Sequence, residues 1–115
     1  MAGGDKMSFD KQAVAKIIAG YGEDAREFIQ LTLNDADTFM VEITTAVGQG
    51  DAAAAGLNAH SLKSIMRQIG IMDVGDAAYE IEKTGKAGKT SECEERLPIL
   101  RALYEEAKNY LSTLL

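Results

Sequence analysis

The chain has 115 residues, 46% of them hydrophobic, and carries a formal net charge of -6 at pH 7. This length supports one domain with a single core. The acidic balance argues against nucleic acid as the main partner, because phosphate backbones select basic surfaces. The single cysteine cannot form an internal disulfide, and no apolar run approaches the roughly 20 residues of a membrane span. We therefore expect a cytoplasmic monomer with no membrane insertion.

The first residues predict a leader followed by a short helix. Residues 1–7 contain adjacent glycines and a second methionine, so we expect a flexible leader or a remnant of cloning there and a domain over residues 8–115. Asp10 is placed to cap a first helix, which ends at the Gly20-Tyr21-Gly22 segment.

A long second helix is predicted at about residues 23–47, where apolar positions recur three and four residues apart. These positions are Phe28, Thr32, Ala36, Phe39, Ile43 and Ala46. Gly48 and Gly50 end this helix. Asp51 is then placed to cap a third helix at about residues 52–69.

Glycines also bound the predicted fourth helix. Gly70 breaks the chain after the third helix, and Asp73 is placed to cap the fourth, which Gly85 and Gly88 close. The apolar positions of this helix are Val74, Ala77, Ala78 and Ile81.

The last helix is predicted from Ser91 to the C-terminus. Ser91 with Glu94 is typical of a capping box, and Pro98 lies early in the helix, where its missing amide does least harm. Its apolar stripe consists of Leu97, Leu100, Tyr104, Ala107, Leu111 and Leu114. Together these elements predict an all-α fold: an antiparallel up-down-up-down four-helix bundle with a short additional N-terminal helix.

The only histidine does not fit the core of the third helix. With Leu62 as the centre of the buried face and about 100° per residue, an apolar group falls within about 60° of that centre. This group consists of Ala55, Leu62, Ile65, Met66 and Ile69. His60 falls at about 160°. The phase favours an exposed histidine over a hydrogen-bonded core residue, and an exposed histidine without a role is the alternative.

The face that His60 shares is unusual for a surface that meets only water. Small, apolar and cationic residues surround the histidine there: Ala53, Gly56, Leu57, Lys63, Ser64 and Arg67. We predict a docking surface on which Gly56 gives steric clearance. A Gly56→Arg variant is then expected to fold at least as well as the parent, because arginine favours helices, while obstructing a partner.

The run A-H-S-L-K-S at residues 59–64, with Gly70 ten residues after His60, resembles the signature of histidine-phosphotransfer (HPt) domains of multistep two-component signalling. That signature is an A-H-x-L-K-G stretch closed by a glycine at the same distance. Two residues depart from the usual pattern. Ser64 stands where glycine is commonest, and Met66 stands where a small residue is usual.

The resemblance extends over about residues 9–115. Val74, Ala77 and the Ile81-Glu82 pair fall where the family has its next apolar positions and a Leu-Glu pair. Since Met66 points towards the core on the helical wheel, we expect it to affect packing more than chemistry.

The resemblance implies a phosphorelay intermediate. His60 would accept a phosphoryl group on its distal ring nitrogen and exchange it with the aspartate of a receiver domain in a response regulator or hybrid sensor kinase. Lys63 is the first candidate for the cation that stabilises the phosphoryl group. Arg67 is a candidate for receiver docking, and Lys86 is a further basic residue expected near the phosphoryl group or the docked receiver. Glu82 would accept a hydrogen bond from the proximal N–H of His60. The alternative is a solvent-exposed Glu82 that pairs with Lys86 at i,i+4.

The sequence has no glycine-rich nucleotide loop, no kinase constellation and no clustered acidic residues typical of a magnesium site. We therefore expect a phosphocarrier and co-substrate, not an enzyme. We expect it to bind no cofactor itself, and the resemblance implies that Mg²⁺ belongs to the receiver. Three alternatives stay open: an adaptor that binds receivers without phosphotransfer, a purely structural bundle, and a metal- or cofactor-binding bundle. The last is disfavoured because His60 and Cys93 lie on different helices.

Overall fold

A computed structural model describes residues 9–115. The leader predicted over residues 1–7, and residue 8, lie outside the described residues. The described chain consists of α1 (Lys11–Ala19), a 3₁₀ turn (Gly22–Asp24), α2 (Ala25–Gly48), α3 (Ala52–Gln68), α4 (Met72–Lys86) and α5 (Thr90–Thr113). Within this part of the chain no helix is both long and apolar enough to cross a membrane.

Helices α2 to α5 form the bundle. Each packs against the next along the chain, and α5 closes the ring by packing against α2. The short connections make consecutive helices antiparallel. The α1 helix covers one end, where the hydroxyl of Tyr110 donates to the carbonyl of Lys11. The predicted all-α up-down-up-down bundle with a short N-terminal helix is confirmed.

The three loops between the bundle helices share one construction. Gly50, Gly70 and Gly88 each adopt a positive φ, between 71° and 90°, a conformation that costs glycine little. The amide of the residue after each glycine donates to a carbonyl five residues back. These bonds are Asp51 to Ala46, Ile71 to Met66 and Lys89 to Thr84, at 2.8 to 2.9 Å. This is the Schellman closure of a helix, so glycine placement sets where each next helix begins.

The predicted helix caps are correct at two positions and wrong at two. Asp10 accepts from the amides of Gln12 and Ala13, and Asp51 accepts from the amide of Ala54. The fourth helix begins at Met72, so Asp73 lies inside its first turn and does not cap it.

The capping box predicted for Ser91 and Glu94 is also wrong. Helix α5 begins at Thr90, with Lys89 at its N-cap position and no side-chain cap. The physical reason is the Gly88 closure, which delivers the chain to α5 before Ser91 is reached.

The core runs through the middle of the bundle and is continuous among the described helices. Four of the six positions predicted for the α2 stripe are buried, with Ala36 and Ile43 completely so, and Phe28 and Phe39 are partly buried against the core. Leu62 and Met66 on α3, and Ile69 at its C-cap, are completely buried, so Met66 points into the core as expected. This core holds α3 in place and leaves its other side for α4 and for solvent.

Candidate functional site

His60 lies near the middle of α3, and 54% of its side chain is exposed. Its predicted exposure is confirmed. The core side of the helix is filled by Leu62, Met66 and Ile69 without any contribution from the imidazole. The ring is therefore available to another molecule while its helix is rigidly held.

The proximal nitrogen of His60 faces a carboxylate on the neighbouring helix. Nδ1 lies 2.8 Å from Oε2 of Glu82, whose side chain is only 4% exposed. Because an ionised carboxylate can only accept, Nδ1 carries a proton and donates a hydrogen bond to Glu82. No described residue hydrogen-bonds to Nε2, the distal nitrogen, and in the neutral ring this arrangement leaves the lone pair on Nε2.

Glu82 is ionised in spite of its burial. Burial acts to raise the pKa of this carboxyl, but the ion pairs with Lys63 and Lys86 and the hydrogen bond from His60 outweigh that effect and lower the pKa from 4.5 to about 2. The lysine Nζ atoms lie 2.6 Å and 3.0 Å from the carboxylate oxygens. We call Glu82, His60, Lys63 and Lys86 the Glu82 cluster. The alternative of a solvent-exposed Glu82 is wrong, although its i,i+4 pair with Lys86 is present.

The two lysines of the Glu82 cluster differ in their access to solvent. Lys63 has 16% of its side chain exposed and its Nζ contacts Oε1 of Glu82, whereas 71% of the Lys86 side chain is exposed. Lys63 is therefore mostly buried in an ion pair with the Glu82 carboxylate in this structure. Lys86 is the cation that a bound anion would meet with less rearrangement.

Arg67 and Ser64 have partners of their own. Arg67 forms an ion pair with Asp76 of α4 at 3.0 Å, and the Ser64 hydroxyl donates to the backbone carbonyl of His60. Ser64 is exposed and its oxygen can still accept, whereas Arg67 is turned along the α3–α4 interface.

Sequence reasoning missed Tyr79, which lies one turn before Glu82 on α4. Its half-exposed ring lies within 4.7 to 5.6 Å of the cationic groups of Lys63, Arg67 and Lys83, a range in which cations are attracted to an aromatic face. The i,i+3 spacing from Glu82 is the signal that places both residues on the α3-facing side of α4.

The predicted docking face divides into two parts. Ala53, Leu57, His60 and Ser64 are exposed, with 70% of Leu57 accessible. Gly56 is buried against α4, so its prediction as part of an open docking face is wrong. A Cβ atom added there would lie 3.2 Å from the carbonyl oxygen of Glu82 and 3.3 Å from Cα of Gly85.

The physical reason is that α3 has two packing partners. It packs against α2 on one side and, most extensively, against α4 on another. Gly56 lies about 120° from Leu62 on the helical wheel. That position is outside the apolar stripe, which extends about 60° to either side of Leu62, but inside the arc that α4 covers. Gly85, predicted to close α4, is likewise inside that helix and buried.

A second charged network lies across the bundle, between α2 and α5. Asp37 accepts from the hydroxyl of Tyr104 and from Nζ of Lys108, the latter at 3.0 and 3.1 Å. Burial and Asp37 raise the pKa of Tyr104 well above its usual range. We call these three residues the Asp37 cluster. Among residues 9–115 no group of three or more His, Cys, Asp or Glu side chains is arranged to hold a metal ion.

Comparisons with known proteins define the class of this chain. The sequence model of the Hpt domain family matches residues 27–110. The chain belongs to the Hpt domain family, and its role is histidine phosphotransfer in a phosphorelay.

The structure is also similar to a solved one, the crystal structure of histidine-containing phosphotransfer protein B (HptB) from Pseudomonas aeruginosa PAO1. The TM-score is 0.83, and 91% of each chain is covered at 15% sequence identity. At that identity the likeness concerns the fold. A search of curated proteins found no match.

Proposed function

We propose that His60 accepts a phosphoryl group on Nε2 and exchanges it with the aspartate of a receiver domain. One observation carries the proposal: the imidazole is half exposed, Nδ1 is bound to a buried carboxylate, and Nε2 is free. A histidine in this tautomer presents a lone pair to an approaching phosphorus atom.

The transfer step balances with these groups. The Nε2 lone pair forms a bond to the phosphorus of an aspartyl phosphate, the bond from phosphorus to the aspartate oxygen breaks, and the aspartate leaves as a carboxylate. The proton stays on Nδ1, so the ring becomes cationic. The adjacent Glu82 carboxylate stabilises that charge at 2.8 Å. The reverse step regenerates neutral His60.

Positive charge for the phosphoryl oxygens is available within the same cluster. Lys63 stays our first candidate for this role, and Lys86 is the more exposed of the two cations. The chain contributes the nucleophile and these cations and acts as a carrier, and the receiver contributes the aspartate and Mg²⁺.

The receiver is proposed to dock over the exposed part of the face, around Ala53, Leu57, His60 and Ser64. Leu57 is a large apolar side chain beside the reactive group, a position suited to a contact that is buried on binding. Arg67 would lie at the edge of this surface. We further propose that the domain acts in the cytoplasm and is a monomer. Equilibrium sedimentation of the isolated chain would test the monomeric state.

The deciding experiment is incubation with a phosphorylated receiver domain and Mg²⁺, followed by mapping of acid-labile, base-stable phosphate. We expect the phosphate on His60, and a His60→Gln variant that acquires none while keeping the helicity and melting temperature of the parent. Phosphate on another residue would contradict the assignment. A receiver that binds parent and variant equally, with no transfer to either, would indicate an adaptor.

A further inference from the structure

We propose that the contact between Gly56 and Gly85 is a positioning device that brings Glu82 within hydrogen-bonding reach of His60. This inference rests on the proposed function of His60. The two glycines are positioning residues, because they act through the Glu82 side chain and not on the phosphoryl group itself.

The glycines mark an unusually close approach of α3 and α4. A Cβ atom added to Gly85 would lie 2.5 Å from the carbonyl oxygen of Ala52 and 2.7 Å from both N and Cα of Gly56. All of these are backbone atoms, so no side chain can rotate away to make room. The separation of the two helices at this level therefore depends on the absence of a side chain at residue 85.

The reacting pair lies on the neighbouring turns. His60 follows Gly56 by four residues and Glu82 precedes Gly85 by three, so each is on the same helical face as its glycine. The helices are antiparallel, which places both residues on the same side of the glycine contact. A change in helix separation at the glycines is thus transmitted directly to the gap between imidazole and carboxylate.

The hydrogen bond has little tolerance for such a change. A non-bonded carbon contact needs roughly 3.5 Å, so a methyl group at residue 85 requires a movement of about 1 Å. That movement would lengthen the present 2.8 Å distance between Nδ1 and Oε2 beyond hydrogen-bonding range. Lys63 and Lys86 have long flexible stems and can follow the carboxylate, whereas the rigid imidazole cannot.

Loss of this bond has a chemical consequence. Without an acceptor at Nδ1, the neutral ring exchanges freely between its two tautomers, and the form protonated on Nε2 has no lone pair on that nitrogen to attack phosphorus. We expect Gly85→Ala to move the tautomer population towards the Nε2-protonated form and to slow phosphorylation by about tenfold.

The tautomer can be measured directly on the unphosphorylated chain. His60 is the only histidine, so long-range ¹H–¹⁵N spectra of imidazole nitrogens report it without ambiguity. The matched control is Gly48→Ala, because a Cβ atom at residue 48 meets nothing within 4 Å. That control should leave both the tautomer and the phosphorylation rate unchanged.

A double-variant cycle separates positioning from a merely structural effect. In a Glu82→Ala background the acceptor is already gone, so adding Gly85→Ala should change neither the ring spectrum nor the transfer rate further. An equal additional loss in both backgrounds would overturn the proposal, as would a parental ring spectrum in folded Gly85→Ala.

If Gly85→Ala fails to fold, Gly56→Ala decides the question, since its added Cβ atom needs a shift of only a few tenths of an ångström. We expect a smaller tautomer shift in the same direction, and no shift would overturn the proposal. Because the spectra require no phosphate, a parent chain that never accepts phosphate would refute the proposed function without touching this result.

Discussion

The Glu82 and Asp37 clusters use the same ingredients on opposite sides of one bundle. Each cluster contains a carboxylate, at least one lysine and a ring that carries a polar atom, and these side chains come from two neighbouring helices. In the Asp37 cluster the ring is Tyr104, which is almost completely buried and whose single polar atom already donates to the carboxylate. In the Glu82 cluster the ring is an imidazole.

The two rings differ in whether a polar atom remains free once the ring has made its hydrogen bond to the carboxylate. Imidazole has two nitrogens, so the bond from Nδ1 to Glu82 fixes the ring and leaves Nε2 for chemistry. Tyr104 has no second polar atom. Under the proposed function, similar electrostatic networks serve stability on the α2–α5 side and reactivity on the α3–α4 side.

The largest expected effect concerns the close packing of α3 on α4. Gly56→Arg should lower the free energy of unfolding by roughly 3 kcal/mol, because the side chain has to displace the backbone of α4. This reverses the expectation from the sequence that the variant folds as well as the parent. Urea denaturation measures the loss, with Gly48→Arg as the control at an open position. Equal midpoints for the two variants would show that the helices separate freely.

Glu82 should make stability depend on pH in the acid range. Its pKa in the folded protein is lowered from 4.5 to about 2, so its contribution is complete above pH 4.5 and is lost as the pH falls towards 2. The shift corresponds to roughly 3 kcal/mol. Urea unfolding at stepped pH should show this decline in the parent and not in Glu82→Gln. Parallel curves for the two proteins would refute the assignment.

The lysines of the Glu82 cluster should differ in their effect on stability. Lys63→Ala removes the partner of a buried carboxylate oxygen and should cost roughly 2 kcal/mol. Lys86→Ala removes an exposed partner and should cost under about 0.5 kcal/mol. Both variants should fold, and Lys63→Ala should also slow phosphotransfer. Identical denaturation midpoints would mean that burial does not distinguish the two contacts.

Tyr104→Phe should have the opposite profile to His60→Gln. It removes the hydrogen bond to Asp37 at a cost of about 1 kcal/mol, while phosphate exchange continues at the parental rate. Thermal melting and a receiver-transfer assay on the same preparation provide the test. A slowed transfer in this variant would show that the α2–α5 side takes part in the reaction.

The smallest effect compares exposed apolar residues on the two sides. Leu57→Ala should weaken receiver binding by about 1 kcal/mol with little change in stability, because 70% of Leu57 is exposed. Val41, similarly exposed beside the Asp37 cluster, gives the control variant Val41→Ala, which should bind as the parent does. If titration calorimetry finds both unchanged, the receiver docks elsewhere.

The sequence alone predicted the helices and the phase of His60. Apolar spacing and glycine placement are local properties, and three glycine closures of the same kind fix the loops between bundle helices. Two predicted caps were wrong because such a closure begins the next helix before the polar residue is reached. The resemblance carried by residues 59–64 and Gly70 further suggested Glu82 as the partner of Nδ1.

Only the tertiary structure decided which flank of α3 is covered by α4. A helical wheel locates the centre of an apolar stripe from the average hydrophobicity of the side chains around the helix. A glycine contributes almost nothing to that average, and a lysine is assigned to the exposed side. Gly56 and Lys63 were therefore assigned to the open face, although one is buried in the helix contact and the other is mostly buried beside Glu82. Close backbone packing and a buried ion pair depend on two helices at once, and no property of one helix encodes them.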